Sequence, residues 1–218
     1  MQKNFDAIKK CKLFDGIQEE NISGMLGCLQ GNYKSFKKGE IIISEETPIT
    51  HIGIVVKGIA RLERTDYFGN RSIVAIVEPG DMFAESFACA GAKLPMDIVA
   101  ETDCESLFID CKKIIHTCAN SCAYHEGMIY NLIKILSHKN IALNQKAEIT
   151  SKRTTREKLM TFLEIQAKKT GKSEFTIGYD RQTLADFLEV DRSGLSAEIS
   201  KLRREGVIEN KKNNFKIL

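Results

Sequence analysis

A change of periodicity near residue 120 constrains this chain more than any other feature. Between residues 33 and 110 the sequence is cut into short β-rich runs: Glu40-Ile41-Ile42-Ile43, His51-Ile52-Gly53-Ile54-Val55-Val56, Ile59-Ala60-Arg61-Leu62, residues 72–77, Ile98-Val99-Ala100 and Ser106-Leu107-Phe108-Ile109. Lys38-Gly39, Lys57-Gly58, Phe68-Gly69-Asn70 and Glu78-Pro79-Gly80-Asp81 separate them, at intervals that suit an all-β sandwich or barrel rather than βαβ units. After Gly127 no Pro or Gly interrupts the chain up to residue 150, and Ile129, Ile133, Leu136, Asn140, Leu143, Ala147 and Thr150 recur in alternating steps of four and three. That spacing predicts one long helix over residues 121–150 with a heptad-like seam. Such a helix can pack on its own β-domain. Polar Asn140 in the middle of the seam instead suits pairing with a second copy, because a buried Asn fixes register.

The chain has 218 residues, of which 43% are hydrophobic and 28% charged, enough for one large or two small cores and too apolar for a disordered chain. No run of about 18 apolar residues occurs, and the N-terminal MQKNFDAIKK lacks the apolar segment of a signal peptide, so a cytoplasmic protein is expected. Seven cysteines, at 11, 28, 89, 104, 111, 118 and 122, are scattered and odd in number, which favours reduced thiols over a disulfide framework. The formal net charge of +3 hides an asymmetry: residues 151–218 hold 15 Lys/Arg against 10 Asp/Glu. The last third is therefore the candidate nucleic-acid surface.

Within that third, residues 154–169 predict an amphipathic helix ended by Thr170-Gly171, and Phe175-Thr176-Ile177 a short strand. Residues 180–202 then carry two short helical patterns joined tightly. Leu184, Ala185, Phe187 and Leu188 supply the inner face of the first, and Leu195, Ile199 and Leu202 that of the second. Asp191 or its neighbour is placed to cap the second helix, which leaves Arg192, Ser193, Ser196, Ala197, Ser200 and Lys201 off the core. A DNA-recognition helix needs this partition: its apolar face anchors it, while short polar groups and Arg reach base edges and phosphates. Arg192, Ser193 and Ser196 are the expected base contacts. Residues 206–218 read as a β-hairpin that makes the module winged, with Lys211 and Lys212, like Arg181 and Lys201, facing phosphate. A helical pair used only for protein contacts is the alternative.

In order along the chain, Leu13-Phe14-Asp15-Gly16-Ile17, Phe36-Lys37-Lys38-Gly39-Glu40-Ile41-Ile42, Val56-Lys57-Gly58, Pro79-Gly80-Asp81-Met82-Phe83-Ala84-Glu85 and residues 180–208 resemble the bacterial cyclic-AMP receptor protein and fumarate-nitrate reductase regulator (CRP/FNR) family. The resemblance covers residues from about 11 to 218. It implies an α+β chain: a cyclic-nucleotide-binding-like β-roll (jelly roll) over residues 1–120, a dimerisation helix over 121–150 and a winged helix-turn-helix over 151–218. It further implies a homodimeric transcription regulator on a near-palindromic operator of double-stranded DNA, with RNA polymerase as a further partner if it activates, and no membrane association.

In cyclic-nucleotide binders of this family a Gly-Glu pair receives the ribose, and an Arg-Ser or Arg-Thr pair about ten residues later receives the cyclic phosphate. Here Glu85 remains, Ala84 replaces the glycine, and Ala92-Lys93-Leu94-Pro95-Met96 contains no arginine. Without a guanidinium fork the phosphate loses its main partner, so cyclic AMP and cyclic GMP are not expected to bind. A pocket for another effector is expected at Gly80, Phe83, Ala84, Glu85, Ser86 and Cys89, braced by Leu136 and Asn140 of the long helix. A second option is chemical. Cys118, Cys122 and His125 form a Cys-x3-Cys-x2-His array that helical spacing would place on one face, suited to a soft metal or to reversible oxidation, with Cys111 or Cys89 as a fourth ligand. Packed thiols beside a surface His125 are the alternative. Haem or an iron–sulfur centre has less support, since Cys11 and Cys28 stand far apart. An enzyme is not expected: there is no metal-binding run of histidines, no Gly-x-Ser-x-Gly elbow and no phosphate loop.

Overall fold

The computed structural model describes residues 2–69, 71–115 and 123–218. The chain divides into two compact units, residues 1–137 and 138–218. In the first, α1 (Gln2–Lys10), a 3-10 turn (Lys12–Phe14) and α2 (Glu19–Cys28) precede β1 (Asn32–Phe36), β2 (Ile41–Ile43), β3 (His51–Lys57), β4 (Ala60–Thr65), β5 (Arg71–Val77) and β6 (Met82–Phe83). Then follow α3 (Glu85–Ala90), β7 (Asp97–Ala100), β8 (Cys104–Asp110), α4 (Cys111–Ile115) and α5 (Ala123–Thr150), the last of which ends in the second unit. The second unit continues with α6 (Thr155–Thr170), β9 (Glu174–Thr176), α7 (Arg181–Leu188), α8 (Arg192–Arg204), β10 (Ile208–Lys211) and β11 (Asn214–Ile217).

Eight strands of the first unit form two four-stranded sheets, ordered β1-β8-β3-β6 and β2-β7-β4-β5, with every pairing antiparallel. This is the β-roll expected from the turn spacing. Its core joins Ile52, Ile54, Ile98, Ala100, Leu107 and Ile109 to Ile8, Leu13 and Phe14 of the N-terminal helical segment. Gly53 is where the roll has no room for a side chain, since a Cβ there would lie 2.0 Å from the Phe83 ring. On β4, Arg61 donates from Nε to Glu63 at 2.7 Å and also pairs with Glu101, tying β4 to the end of β7. From α5, Met128 and Leu132 enter the core, and Asn131 donates through Nδ2 to the carbonyls of Leu13 (3.1 Å) and Asp15 (2.8 Å).

The second unit is a three-helix arrangement with a three-stranded sheet, β10-β11-β9. Thr154 opens α6 with a capping box: its hydroxyl accepts from the Glu157 N–H at 3.2 Å while the Glu157 carboxylate accepts from the Thr154 N–H at 3.1 Å. Leu159, Phe162 and Leu163 of α6, Leu184, Ala185 and Leu188 of α7, and Leu195, Ile199 and Leu202 of α8 close a core with Phe175, Ile208 and Phe215.

Candidate nucleic-acid interface and sensor pocket

Two aspartates set the helix-turn-helix. Asp180 accepts from the Thr183 N–H at 2.8 Å at the start of α7, and Asp191 accepts from the Gly194 N–H at 2.8 Å at the start of α8. Both carboxyls lie below the usual range: the Thr183 bonds are the main cause for Asp180, and the Ser193 hydroxyl and Gly194 N–H for Asp191. Between the helices Glu189 turns the chain in the left-handed region at φ +53°. Small Ala185, fully buried, sits where α7 meets the rest of the core.

Capping fixes which face of α8 turns inward. Leu195, Ile199 and Leu202 are buried, while Arg192, Ser193, Ser196, Ala197, Ser200 and Lys201 are exposed, as the sequence predicts. The serine hydroxyls are held locally: Ser196 donates to the Arg192 carbonyl and Ser200 to the Ser196 carbonyl, each at 2.9 Å, and Ser193 pairs with Asp191. The Arg192 side chain extends from the first turn of the helix. Lys211 and Lys212 stand exposed at the β10–β11 hairpin, where Lys212 takes φ +53°. Arg181 differs from the other basic groups. It is half-buried over the Phe215 ring, 5.9 Å from its centroid, and that burial lowers its pKa. Sequence reasoning missed Arg203, which shares a surface groove of mixed charge with Lys211, Lys216, Asn210, Asn214, Glu174 and Glu209. Its place one residue past the buried Leu202 marks it as outward-facing.

The pocket residues of the first unit are more dispersed in role than expected. Gly80, at φ +97°, backs onto α1, where a Cβ would lie 3.0 Å from Lys10 Cβ and 3.1 Å from the Ala7 carbonyl. Phe83 belongs to the core, packed edge-on to Phe108 with centroids 5.9 Å apart. Ala84 occupies the left-handed region, φ +62°, and starts α3; Glu85 is buried, Ser86 exposed and Cys89 half-buried. In the segment of residues 92–96, Leu94 and Met96 are buried and the Lys93 amine lies 3.3 Å from the Glu46 carboxylate. Leu136 packs partly against its own core, which places it inside the protomer rather than wholly on a pairing seam. Asn140 is exposed and accepts from Asn144 at 2.7 Å.

The rest of the seam is also mixed. Ile129 is half-buried and Ala147 exposed. Ile133 and Leu143 are largely exposed, and so are Tyr130 and Ile141, two apolar residues the heptad reading left out.

Cys118 and Cys122 lie outside the described residues. His125 is buried, 2% exposed, which corrects the reading of it as a surface residue: α5 enters the β-roll with the face that carries His125, Met128 and Leu132. No group of three His, Cys, Asp or Glu able to hold a metal occurs among the described residues. The structure does bring together two thiols 22 residues apart, Cys89 and Cys111, with Sγ atoms 3.1 Å from each other. Burial is the main cause that pushes the Cys111 thiol up to about 12, with the contact to Cys89 adding to it, and burial does the same to Cys11.

A β-roll followed by a long helix and a winged helix-turn-helix with a basic outer face defines a DNA-binding transcription regulator. Residues 33–121 match the cyclic nucleotide-binding domain family model and residues 157–218 the Crp-like helix-turn-helix domain model. The chain belongs to the CRP/FNR family. Transcriptional activator protein FnrL of Cereibacter sphaeroides is 24% identical over 191 residues, which span 81% of this chain and 72% of FnrL. Catabolite activator protein from Thermus thermophilus superimposes with TM-score 0.52 at 18% identity, over 95% of this chain and 93% of that one. A CooA mutant from Carboxydothermus hydrogenoformans gives TM-score 0.53 at 20% identity, over 89% and 85%. Transcription regulators are not an enzyme class, and among the described residues no helix is long and apolar enough to cross a membrane.

Proposed function

We propose that this protein is a homodimeric, sequence-specific DNA-binding regulator whose first unit responds to an effector other than a cyclic nucleotide. The observation that carries the DNA reading is the partition of α8: three apolar residues buried, and Arg192, Ser193, Ser196, Ser200 and Lys201 on the open side of a helix capped by Asp191. Ser193, Ser196 and Arg192 are the base-reading groups; Lys201, Lys211, Lys212 and Arg203 position phosphates. Arg181, half-buried on Phe215, serves the fold of the wing first and reaches phosphate only through its guanidinium edge. Dimerisation rests on the exposed apolar residues of α5, and a symmetric pair of α8 helices requires a near-palindromic operator.

The test uses fragments that the purified protein selects from random DNA. Arg192→Ala is expected to weaken the selected site by about 1–3 kcal/mol while changing random-sequence affinity little. Equal losses on both would make Arg192 a phosphate contact. The effector reading rests on Leu94 and Met96 filling the segment where an arginine pair would meet a cyclic phosphate, with Lys93 engaged by Glu46. Calorimetric titration with cyclic AMP and cyclic GMP is expected to give no binding in the micromolar range, and a micromolar Kd for either overturns this part of the proposal.

A further inference from the structure

Among the described cysteines, Cys28 is exposed on α2, Cys11 is buried, and Cys104 is buried with its sulfur 3.6 Å from the Ser106 hydroxyl. Cys89 and Cys111 are different, because they face each other. Cys89 lies in the last turn of α3, and Cys111 opens α4 directly after β8. Both backbones are held from outside the pair. The Cys111 N–H donates to the Thr50 carbonyl at 2.9 Å, and α3 is closed by the Ala92 N–H on the Phe87 carbonyl, also at 2.9 Å. Their sulfurs, 3.1 Å apart, need approach by only about 1 Å to reach the length of a disulfide bond.

Among the described residues neither sulfur belongs to a group of three His, Cys, Asp or Glu able to hold a metal. Access is asymmetric: Cys89 is half-buried and Cys111 is 3% exposed, so an oxidant arriving from solvent meets Cys89 first. We propose that Cys89 and Cys111 form a reversible dithiol–disulfide site, oxidised by a hydroperoxide and reset by a dithiol reductant. This goes beyond the effector reading and does not depend on it.

The chemistry balances in two steps. The Cys89 thiolate attacks the peroxide, the O–O bond breaks, sulfur loses two electrons to become a sulfenic acid, and hydroxide leaves and takes up the thiol proton as water. Cys111 then attacks the sulfenic sulfur; the S–S bond forms, the S–O bond breaks, and the hydroxyl departs with the Cys111 proton as a second water. Two thiols and one hydrogen peroxide give one disulfide and two waters. Reduction by an external dithiol returns both thiols through a mixed disulfide. The bond fastens α3, the helix that bears Glu85 and Ser86, to α4, and shortens the loop that β7 and β8 leave free in the unfolded chain.

The test treats the anaerobically reduced full-length protein with one equivalent of hydrogen peroxide, alkylates free thiols, and maps peptides without reduction. A peptide pair joined at Cys89 and Cys111, two hydrogens lighter than the reduced pair and restored by dithiothreitol, is the expected result. Thermal unfolding is expected to shift upward by about 10 °C on oxidation. That shift should vanish in Cys89→Ala, whose half-buried site tolerates the change, and persist in Cys28→Ser. A disulfide from either residue to Cys118 or Cys122, sulfinic acid at Cys89 with Cys111 still alkylated, or a shift retained in Cys89→Ala overturns the proposal.

Discussion

The two units handle polar side chains in opposite ways. In the DNA-reading unit the candidate site is what the helices leave outside: Leu195, Ile199 and Leu202 satisfy the core, and the serines, Arg192 and the lysines remain for a partner. In the first unit several polar side chains are instead drawn inward. Glu85, Ser106, His125 and Asn131 are buried, as are Leu94 and Met96, while Ser86 stays exposed. A surface site of the first kind tolerates substitution of its contacts without loss of fold. A buried site of the second kind couples its chemistry to the packing of the roll, so a changed ligand demands changed core residues.

The largest expected effect tests whether α8 depends on its core face as strongly as this comparison requires. Leu195 is fully buried one turn after Asp191, and Leu195→Ala removes three carbons and leaves a cavity, expected to cost about 2–5 kcal/mol. Hydrogen exchange on the full chain should show that loss in residues 155–217 and leave the amides of β3 and β8 protected. If β3 and β8 lose protection equally, the two units unfold together and the contrast between them is structural only in appearance.

The next effect concerns α5, which supplies both kinds of face. Ile133 is 57% exposed, opposite in character to Met128 and Leu132 on the same helix. On the proposed pairing of α5 with a second copy, Ile133→Asp is expected to give monomers in sedimentation without lowering the thermal midpoint of the first unit, because it desolvates a charge only when two copies meet. Leu136→Asp, by contrast, should also destabilise the roll, since Leu136 packs on its own core. A dimer that survives Ile133→Asp moves the pairing surface off this row.

Legibility from sequence followed the same division. The helix-turn-helix was readable because its parts have local signals: Asp191 as a cap, apolar residues at helical spacing on two inner faces, and a tight joint between them; the second cap, Asp180, came only from the structure. The strands with alternating or branched residues were also readable, while β1 and the two-residue β6 were not, because Asn32-Tyr33-Lys34-Ser35-Phe36 and Met82-Phe83 carry too little pattern. The long helix was legible but its faces were not: Ile129, Ile133 and Leu136 share a heptad spacing, and only the shape of the β-roll decides that Leu136 turns inward. The approach of Cys89 to Cys111 is invisible to spacing, since β7 and β8 intervene and the contact exists only once the two sheets close.

The smallest effect concerns Ala84, which opens α3. Ala84 stands in the left-handed region at φ +62°, a conformation that costs an L-residue about 1–2 kcal/mol. Glycine would remove that strain, yet Ala84→Gly also frees the unfolded chain by about 0.5–1 kcal/mol and exposes or voids a methyl worth about 0.8 kcal/mol, because Ala84 is only 6% exposed. The terms nearly cancel. Urea denaturation of the full chain should therefore place Ala84→Gly within about 0.5 kcal/mol of the parent. A loss above about 1 kcal/mol would mean that the Ala84 methyl is itself a packing element of the first unit, which the comparison of the two units would then have to count among its buried contacts.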